Sequence, residues 1–490
     1  MTALLILVAP FILLLSILLA PVSKSSRIAL IGSLVILALI ILALVEFYKS
    51  DFLSLSKDVT WIPSLGISFN IGIDGISLIL VLLTGILYPF IIATTLGNKV
   101  KDPKAFYSLM ILMQFGLVGV FISKDAFLFY VFYELTLVPI YFICAIWGAK
   151  NSIPVTLKFF IYTLAGSLLM LVAILYLYFK TPGTHTFDIA SFYTLQLSST
   201  EQSWIFWAFF IAFAIKIPVF PFHTWQPDTY TVSPAAGTML LAGIMLKMGI
   251  YGLIRFVLPI VPNAVLEWSN LSIALCIIGI IYASVIALRQ NDLKTLIAYS
   301  SIAHVGLITA GVLSVNVNGV QGAMIQMFNH GVNVIALLFM VDLIEQKYGT
   351  RLLSELSGVA GQMKKVSVFF IIVLLGSVGL PLTNGFIGEF LLLMGIYFYN
   401  PWAAAFAGLT LILSACYMLR LYKNVFLGEV APASGTYQDF SVMNGWILVS
   451  LCLLVIATGI YPAMLLSVSS TAVQHILEVF ATHQSALSTL

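Results

Sequence analysis

The sequence predicts an all-α polytopic membrane protein of about fourteen transmembrane helices, built from two inverted five-helix repeats that each contain a broken helix. Of its 490 residues 61% are hydrophobic and only 8% charged, where an ordinary soluble domain carries roughly 25% charged residues. Apolar runs of about 20 residues, enough to cross roughly 30 Å of hydrocarbon, recur from end to end. Two of those runs are interrupted by proline at matching places.

The runs lie near 3–20, 28–45, 77–97, 106–122, 126–147, 154–179, 204–222, 234–257, 271–288, 295–313, 320–344, 367–399, 402–426 and 443–462. The first has no Lys or Arg before it and a second apolar run follows at Ile28, which argues for a first helix rather than a cleaved leader. The twelfth is too long for one crossing and contains Gly379, Pro381 and Gly385, so it reads as a helix broken in mid-membrane. Such a break is tolerated only against protein or a wet cavity. The seventh, with Pro218 and Pro221, reads the same way.

Setting Pro218 against Pro381 defines an offset of 163 residues that carries helices 4–8 approximately onto helices 9–13. Five is odd, so the second unit enters the membrane from the opposite side and the two copies are inverted, a recurrent plan for transport with the ion path at mid-depth. The expected divisions are 1–100 for helices 1–3, 104–260 and 268–427 for the repeats, and 440–490 for helix 14 and the tail. Fifteen of the 22 Lys and Arg residues fall on the side of the first loop, which holds Lys24 and Arg27. That set includes Lys99, Lys294 and Arg351, and it places both termini away from the cytoplasm.

The net charge of +3 is spread over short loops, so no nucleic-acid footprint appears. Cys144, Cys276, Cys416 and Cys452 lie singly in separate apolar runs, without the spacing of a zinc or iron–sulfur site, and read as packing residues. Neither a G-x-G-x-x-G nor a P-loop pattern is present.

Four ionisable groups lie well inside predicted spans: Glu134 in helix 5, Lys216 in helix 7, Lys247 in helix 8 and Glu389 just past the break of helix 12. Each costs about 2.5–3.5 kcal/mol at the bilayer centre on insertion scales. A structural ion pair of Glu134 with Lys216 would offset part of this, but it leaves Lys247 and Glu389 without sequence partners. A proton relay accounts for all four, because a lysine kept from water loses its proton more readily and a nearby carboxylate decides when. His304 and His330, in helices 10 and 11, are stepping stones between Lys247 and Glu389, since imidazole both takes and gives a proton near neutral pH. The breaks at Pro218 and Pro381 free carbonyls that can hold water between such groups. Asp74 and Asp228 sit at span edges and read first as helix caps. His223 and Asp228 lack the further ligand a metal site needs.

The segments GIDGISLILVLLTGILYP, FYELTLVPIYFICAIWG, AFAIKIPVFPFHTWQPDTYTVSPAAGTMLLAGIMLKMGIYGLIRF, QNDLKTLIAYSSIAHVG, FNHGVNVIALLFMVDLI and GLPLTNGFIGEFLLL are similar to characteristic stretches of the antiporter-like subunits of respiratory complex I, specifically the M-type. The resemblance runs from about residue 70 to 430, and the flanks match only in hydrophobic pattern. By it, the family's proton-path positions fall on Glu134, Lys216, Lys247 and Glu389. Glutamate at this last position resembles M-type chains, where L-type, N-type and most Mrp antiporter relatives carry lysine. The sequence shows no long lateral helix and further anchor after helix 14, as L-type chains have. The resemblance implies L-type and N-type neighbours, and no cofactor on this chain: NAD, FMN, iron–sulfur clusters and quinone belong to partner subunits. It implies a bacterial cytoplasmic membrane and a path used by protons and internal waters. Two other readings stand beside this one. The first is a subunit of a Mrp-type cation/proton antiporter or of a ferredoxin-driven photosynthetic relative. The second is a membrane enzyme using His223 and Asp228, which stoichiometric zinc or iron would support.

Overall fold

The computed structural model describes residues 2–50, 55–97, 100–429 and 441–488, which leaves Lys99 and residue 440 outside the described residues. Every predicted run forms helix. Helices 1–6 are Thr2–Leu19, Ser25–Lys49, Gly75–Thr95, Pro103–Ile122, Ala126–Trp147 and Ser152–Lys180. Helix 7 is split into 7a (Ser199–Lys216) and 7b (Trp225–Val232), and helix 12 into 12a (Lys364–Ser377) and 12b (Asn384–Tyr399). Helix 8 covers Ala235–Ile260. Helices 9, 10, 11, 13 and 14 are Pro262–Arg289, Leu293–Leu313, Val317–Tyr348, Pro401–Phe426 and Val442–Ile460.

The local geometry repeats with inversion. Asp125 caps helix 5 through Leu128 N, and its backbone pairs with Asp188 after helix 6; Asp292 caps helix 10 through Thr295 N, and its backbone pairs with Leu352 after helix 11. The first pair lies on the face where helix 7a begins, while Arg351, beside the second, donates to Thr231 O at the far end of helix 7b. The breaks share a device as well. Val219 N reaches back five residues to Ala214 O, and Leu380 N reaches back five to Leu375 O. In helix 7 the indole of Trp225 also donates to Ile215 O at 2.8 Å, so a carbonyl freed by the break keeps a partner.

Two features were absent from the sequence reading. Between helices 2 and 3 the chain folds into β1 (Leu55–Lys57), β2 (Thr60–Ile62), β3 (Ile67–Ser68) and β4 (Ile71–Ile73), with β1 antiparallel to β4 and β2 to β3. Strands of two or three residues are too short to show alternation. After helix 14, helix 15 (Ala463–Ser488) runs roughly 40 Å at 1.5 Å per residue. It is long and apolar enough to cross a membrane. Instead it lies along one face: Gln321, at the start of helix 11, donates to Leu466 O, whereas His483 contacts Pro259 O and Leu195 O in the first repeat. The tail is therefore a lateral strap across both repeats, which corrects the expectation of a tail without a long lateral helix.

On the same face Asp74 forms a capping box with Ser77 at the start of helix 3 and an ion pair with Arg255 of helix 8. Burial would raise its pKa, but Arg255 and Lys124 hold the carboxyl well below the usual range. Its stabilisation is therefore present at neutral pH and is lost only as acid protonates the group below ordinary carboxylate values. Asp74→Ala is expected to lower the thermal unfolding midpoint of the purified assembly, since leaving Arg255 buried without its partner costs about 3 kcal/mol. Asp74→Asn, which keeps the cap, recovers about 1 kcal/mol of that; equal midpoints for Asp74→Ala and the parent would refute the assignment.

Candidate functional site: a buried line of ionisable groups

Helix 8 carries Lys247 between two π-helical turns, Leu241–Met245 and Leu253–Val257. A π turn widens the helix and leaves a carbonyl short of its usual donor. Lys247 Nζ donates to Ala242 O, inside the first of these turns, at 2.7 Å, and lies 2.9 Å from His330 Nδ1 on helix 11. This meeting requires the two helices to touch. A Cβ on Gly331 would come within 2.8 Å of Gly243 O, so only glycine lets the backbones approach this closely.

Past His330 the line continues into the second repeat. The His330 and His304 rings stand 6.2 Å apart. Beside them is a cavity of about 20 Å³, lined among others by Ser300, Ser301, Gln326 and Asn333. That is room for about one water. His304 Nδ1 lies 3.2 Å from Glu389 Oε1, which also accepts from Gln326 Nε2 at 3.3 Å. Lys247 is fully buried and Glu389 is 1% exposed. Gly379, at φ 70° in the break of helix 12, makes room for the carboxylate, because a Cβ there would sit 2.3 Å from Glu389 Oε2. The structure thus brings together Lys247, His330, His304 and Glu389.

The other pair is looser. Lys216, the last residue of helix 7a, is buried with its Nζ 5.0 Å from the centre of the Tyr133 ring, a cation–π contact. Glu134 neighbours it in sequence and is half-buried, with Oε1 lacking a hydrogen-bond partner. Among the described residues no ion pair within 4 Å joins Glu134 to Lys216, and no hydrogen bond joins Lys216 to Lys247. The simple structural ion pair is therefore not formed. Pro218 is buried inside the helix 7 break, whereas Pro381 and Leu382 in the helix 12 break are exposed on this chain. Asp228 is paired with Lys158 at 3.0 Å, and His223 packs against the rings of Phe220 and Tyr282.

Sequence reasoning passed over Gln326, Asn333 and Asn384. Asn333 and Asn384 bond each other through both side chains at 3.0 Å and tie helix 11 to the start of helix 12b. The signal was present: Gln326, His330 and Asn333 follow one another at intervals of four and three residues, so they share a face of helix 11.

Two inverted repeats with broken helices, joined by a buried line of lysine, histidine and glutamate, define a polytopic membrane protein of the ion-transport class. The chain belongs to the NADH:quinone oxidoreductase/Mrp antiporter membrane family, whose model matches residues 123–414. It is 41% identical over 459 residues to NADH-quinone oxidoreductase subunit M of Rickettsia conorii, covering 92% of each chain. To NADH-ubiquinone oxidoreductase chain 4 of Arabidopsis thaliana it is 36% identical, covering 94% of this chain and 93% of that one. Among solved structures it matches a chain of respiratory complex I from Thermus thermophilus at TM-score 0.88 and 26% identity, over 98% of this chain and 100% of the other. A chain of the Mrp complex from Dietzia sp. shares the fold at TM-score 0.85 and 21% identity, over 99% of each.

Proposed function

We propose that this chain is a proton-translocating membrane subunit of an NADH:quinone oxidoreductase, and that protons move along Glu134, Lys216, Lys247, His330, His304 and Glu389. The observation that supports this most directly is the pair of contacts Lys247–His330 and His304–Glu389, with a water-sized cavity beside the two imidazoles that separate them. Oxidation of NADH and reduction of quinone occur in partner subunits that hold NAD, FMN, iron–sulfur clusters and quinone. Coupling reaches this chain as electrostatics: a charge displaced beside Glu134 and Lys216 changes proton affinity in a low-dielectric interior.

The surface supports an assembly. Backbone at membrane depth needs cover, and the break of helix 12 leaves Leu382 72% exposed on this chain alone. The Glu134 face of helix 5 also presents Val131, Val138 and Phe142 outward. L-type and N-type neighbours would cover these two faces. The repeats divide at 104–260 and 268–427, and both termini lie on the non-cytoplasmic side of a bacterial cytoplasmic membrane, as the distribution of loop lysine and arginine supports. The family description covers antiporters too, so the subunits that co-purify with the chain separate the two assemblies.

Glu134→Ala and Lys216→Ala, each in the assembled complex, are expected to lower proton pumping about tenfold, within the range by which positioned proton-transfer groups act. Pumping is read as acidification of inverted vesicles. Normal pumping in both variants rejects the relay.

A further inference from the structure

Helices 12a and 14 pack side by side and both start on the face that gathers most of the loop lysines and arginines. Between their first turns opens a cleft of about 550 Å³ that shares no residue with the relay. Lys364 and Lys365 line its mouth, and Val368, Phe369, Trp446 and Val449 line it further in. From Val442 to Val449 helix 14 advances about 10 Å at 1.5 Å per residue. The cleft is thus cationic where the helices begin and apolar one to two turns deeper. Trp446 is 67% exposed and Val442 80%. An indole turned outward near a helix start suits the boundary between headgroups and hydrocarbon.

The charge at the mouth has no counterpart in the protein around it. Among the described residues no Asp or Glu lines the cleft, and Lys364 makes no hydrogen bond or ion pair. Neither helix has an acid in its first turn, and Met363, which precedes helix 12a, supplies no side-chain cap. A helix N-terminus carries partial positive charge, so two lysines at the start of helix 12a, with the start of helix 14 beside them, have the wrong sign for the helices alone. An anion lying between them turns this repulsion into attraction.

We propose that the cleft between helices 12a and 14 binds an anionic phospholipid, with its phosphate at Lys364, Lys365 and the two helix starts and an acyl chain along Val368, Phe369, Trp446 and Val449. A free phosphate would leave the apolar wall uncovered, and a lipid without net charge would leave the lysines uncompensated. Basic pockets between membrane helices on the cytoplasmic side recognise such headgroups. The site uses no group of the proton path, so it stands or falls separately from the relay.

Photolabelling of the assembled complex in phosphatidylcholine vesicles tests this. The probe is a trace of phosphatidylglycerol with a diazirine on its acyl chain, compared with phosphatidylcholine carrying the same group. The phosphatidylglycerol probe is expected to label residues 364–369 and 442–449, and the phosphatidylcholine probe to label them several-fold less. Each lysine near an anionic headgroup strengthens binding about fivefold, so Lys364→Gln with Lys365→Gln should lower the labelling about twentyfold. Both side chains are exposed, so the fold tolerates the change; should the double variant fail to assemble, Lys364→Gln alone is expected to lower labelling about fivefold. Lys364→Arg with Lys365→Arg should retain it. Lys24→Gln with Arg27→Gln, which removes two exposed charges elsewhere on the same face, should leave it unchanged. Equal labelling by the two probes would make the cleft a general acyl groove and overturn the inference, as would full labelling of the glutamine variants. An absence of label from both probes would mean that a partner subunit covers the cleft, and overturns it too.

Discussion

Replacing Lys247 with methionine is expected to stop proton translocation while the assembly still forms. Lys247 Nζ bridges the first repeat, through Ala242 O at 2.7 Å, to the second, through His330 Nδ1 at 2.9 Å. Methionine fills nearly the same volume without a charge, and substituting a buried charge by an apolar group of similar size is often neutral or stabilising. Folding should therefore survive. What is lost is a group at the junction of helices 8 and 11 that can hold a proton on one side and release it to an imidazole on the other. The fall in pumping should reach on the order of a hundredfold, the scale of a positioned acid or base.

Lys247→Arg sharpens the test. Arginine retains the positive charge but does not give up its proton in proteins. If Lys247 serves only as a fixed charge, arginine should restore pumping; if it must titrate, arginine should fail as methionine does. Vesicle acidification, compared with the amount of assembled complex, decides between them. Wild-type pumping in either variant would remove Lys247 from the proton path.

Most of the fold was legible because the bilayer constrains the chain more simply than water does. Each crossing needs a long apolar run, and backbone breaks survive only where something satisfies them, so Pro218 and Pro381 stood out against an apolar background. The buried charges stood out for the same reason, since Lys247 and Glu389 are costly unless partnered. Their contacts were not legible. That Lys247 meets His330 depends on the close approach at Gly331 and Gly243 and on a π turn, neither of which leaves a periodic signal. Ionisable groups also drew notice away from uncharged polar ones, so Gln326, Asn333 and Asn384 passed as ordinary members of apolar helices. The short strands before helix 3 carried too few residues for a pattern. After helix 14 the sequence reading expected a tail and no long lateral helix; the contacts of helix 15 with Gln321 at one end and Pro259 at the other reveal the strap.

Glu389→Gln is expected to uncouple the far end of the relay with little disturbance of structure. The carboxylate sits in a made-to-measure site: Oε1 accepts from Gln326 Nε2 and faces His304 Nδ1, while Oε2 packs where glycine at position 379 leaves space. Glutamine has the same shape and can still accept through its oxygen, but it cannot bind and release a proton. Pumping should fall about tenfold or more, with assembly unchanged. Glu389→Asp should recover part of the rate, because it restores a titrating group although its shorter chain pulls away from His304. Glu389→Ala should do worse on both counts, since it also strands Gln326 and His304 at about 1–3 kcal/mol for each unpartnered group. The ordering Glu, Asp, Gln, Ala in vesicle acidification is what a proton-accepting role demands. A purely structural carboxylate would place Gln above Asp, because shape and hydrogen bonding would then matter and titration would not.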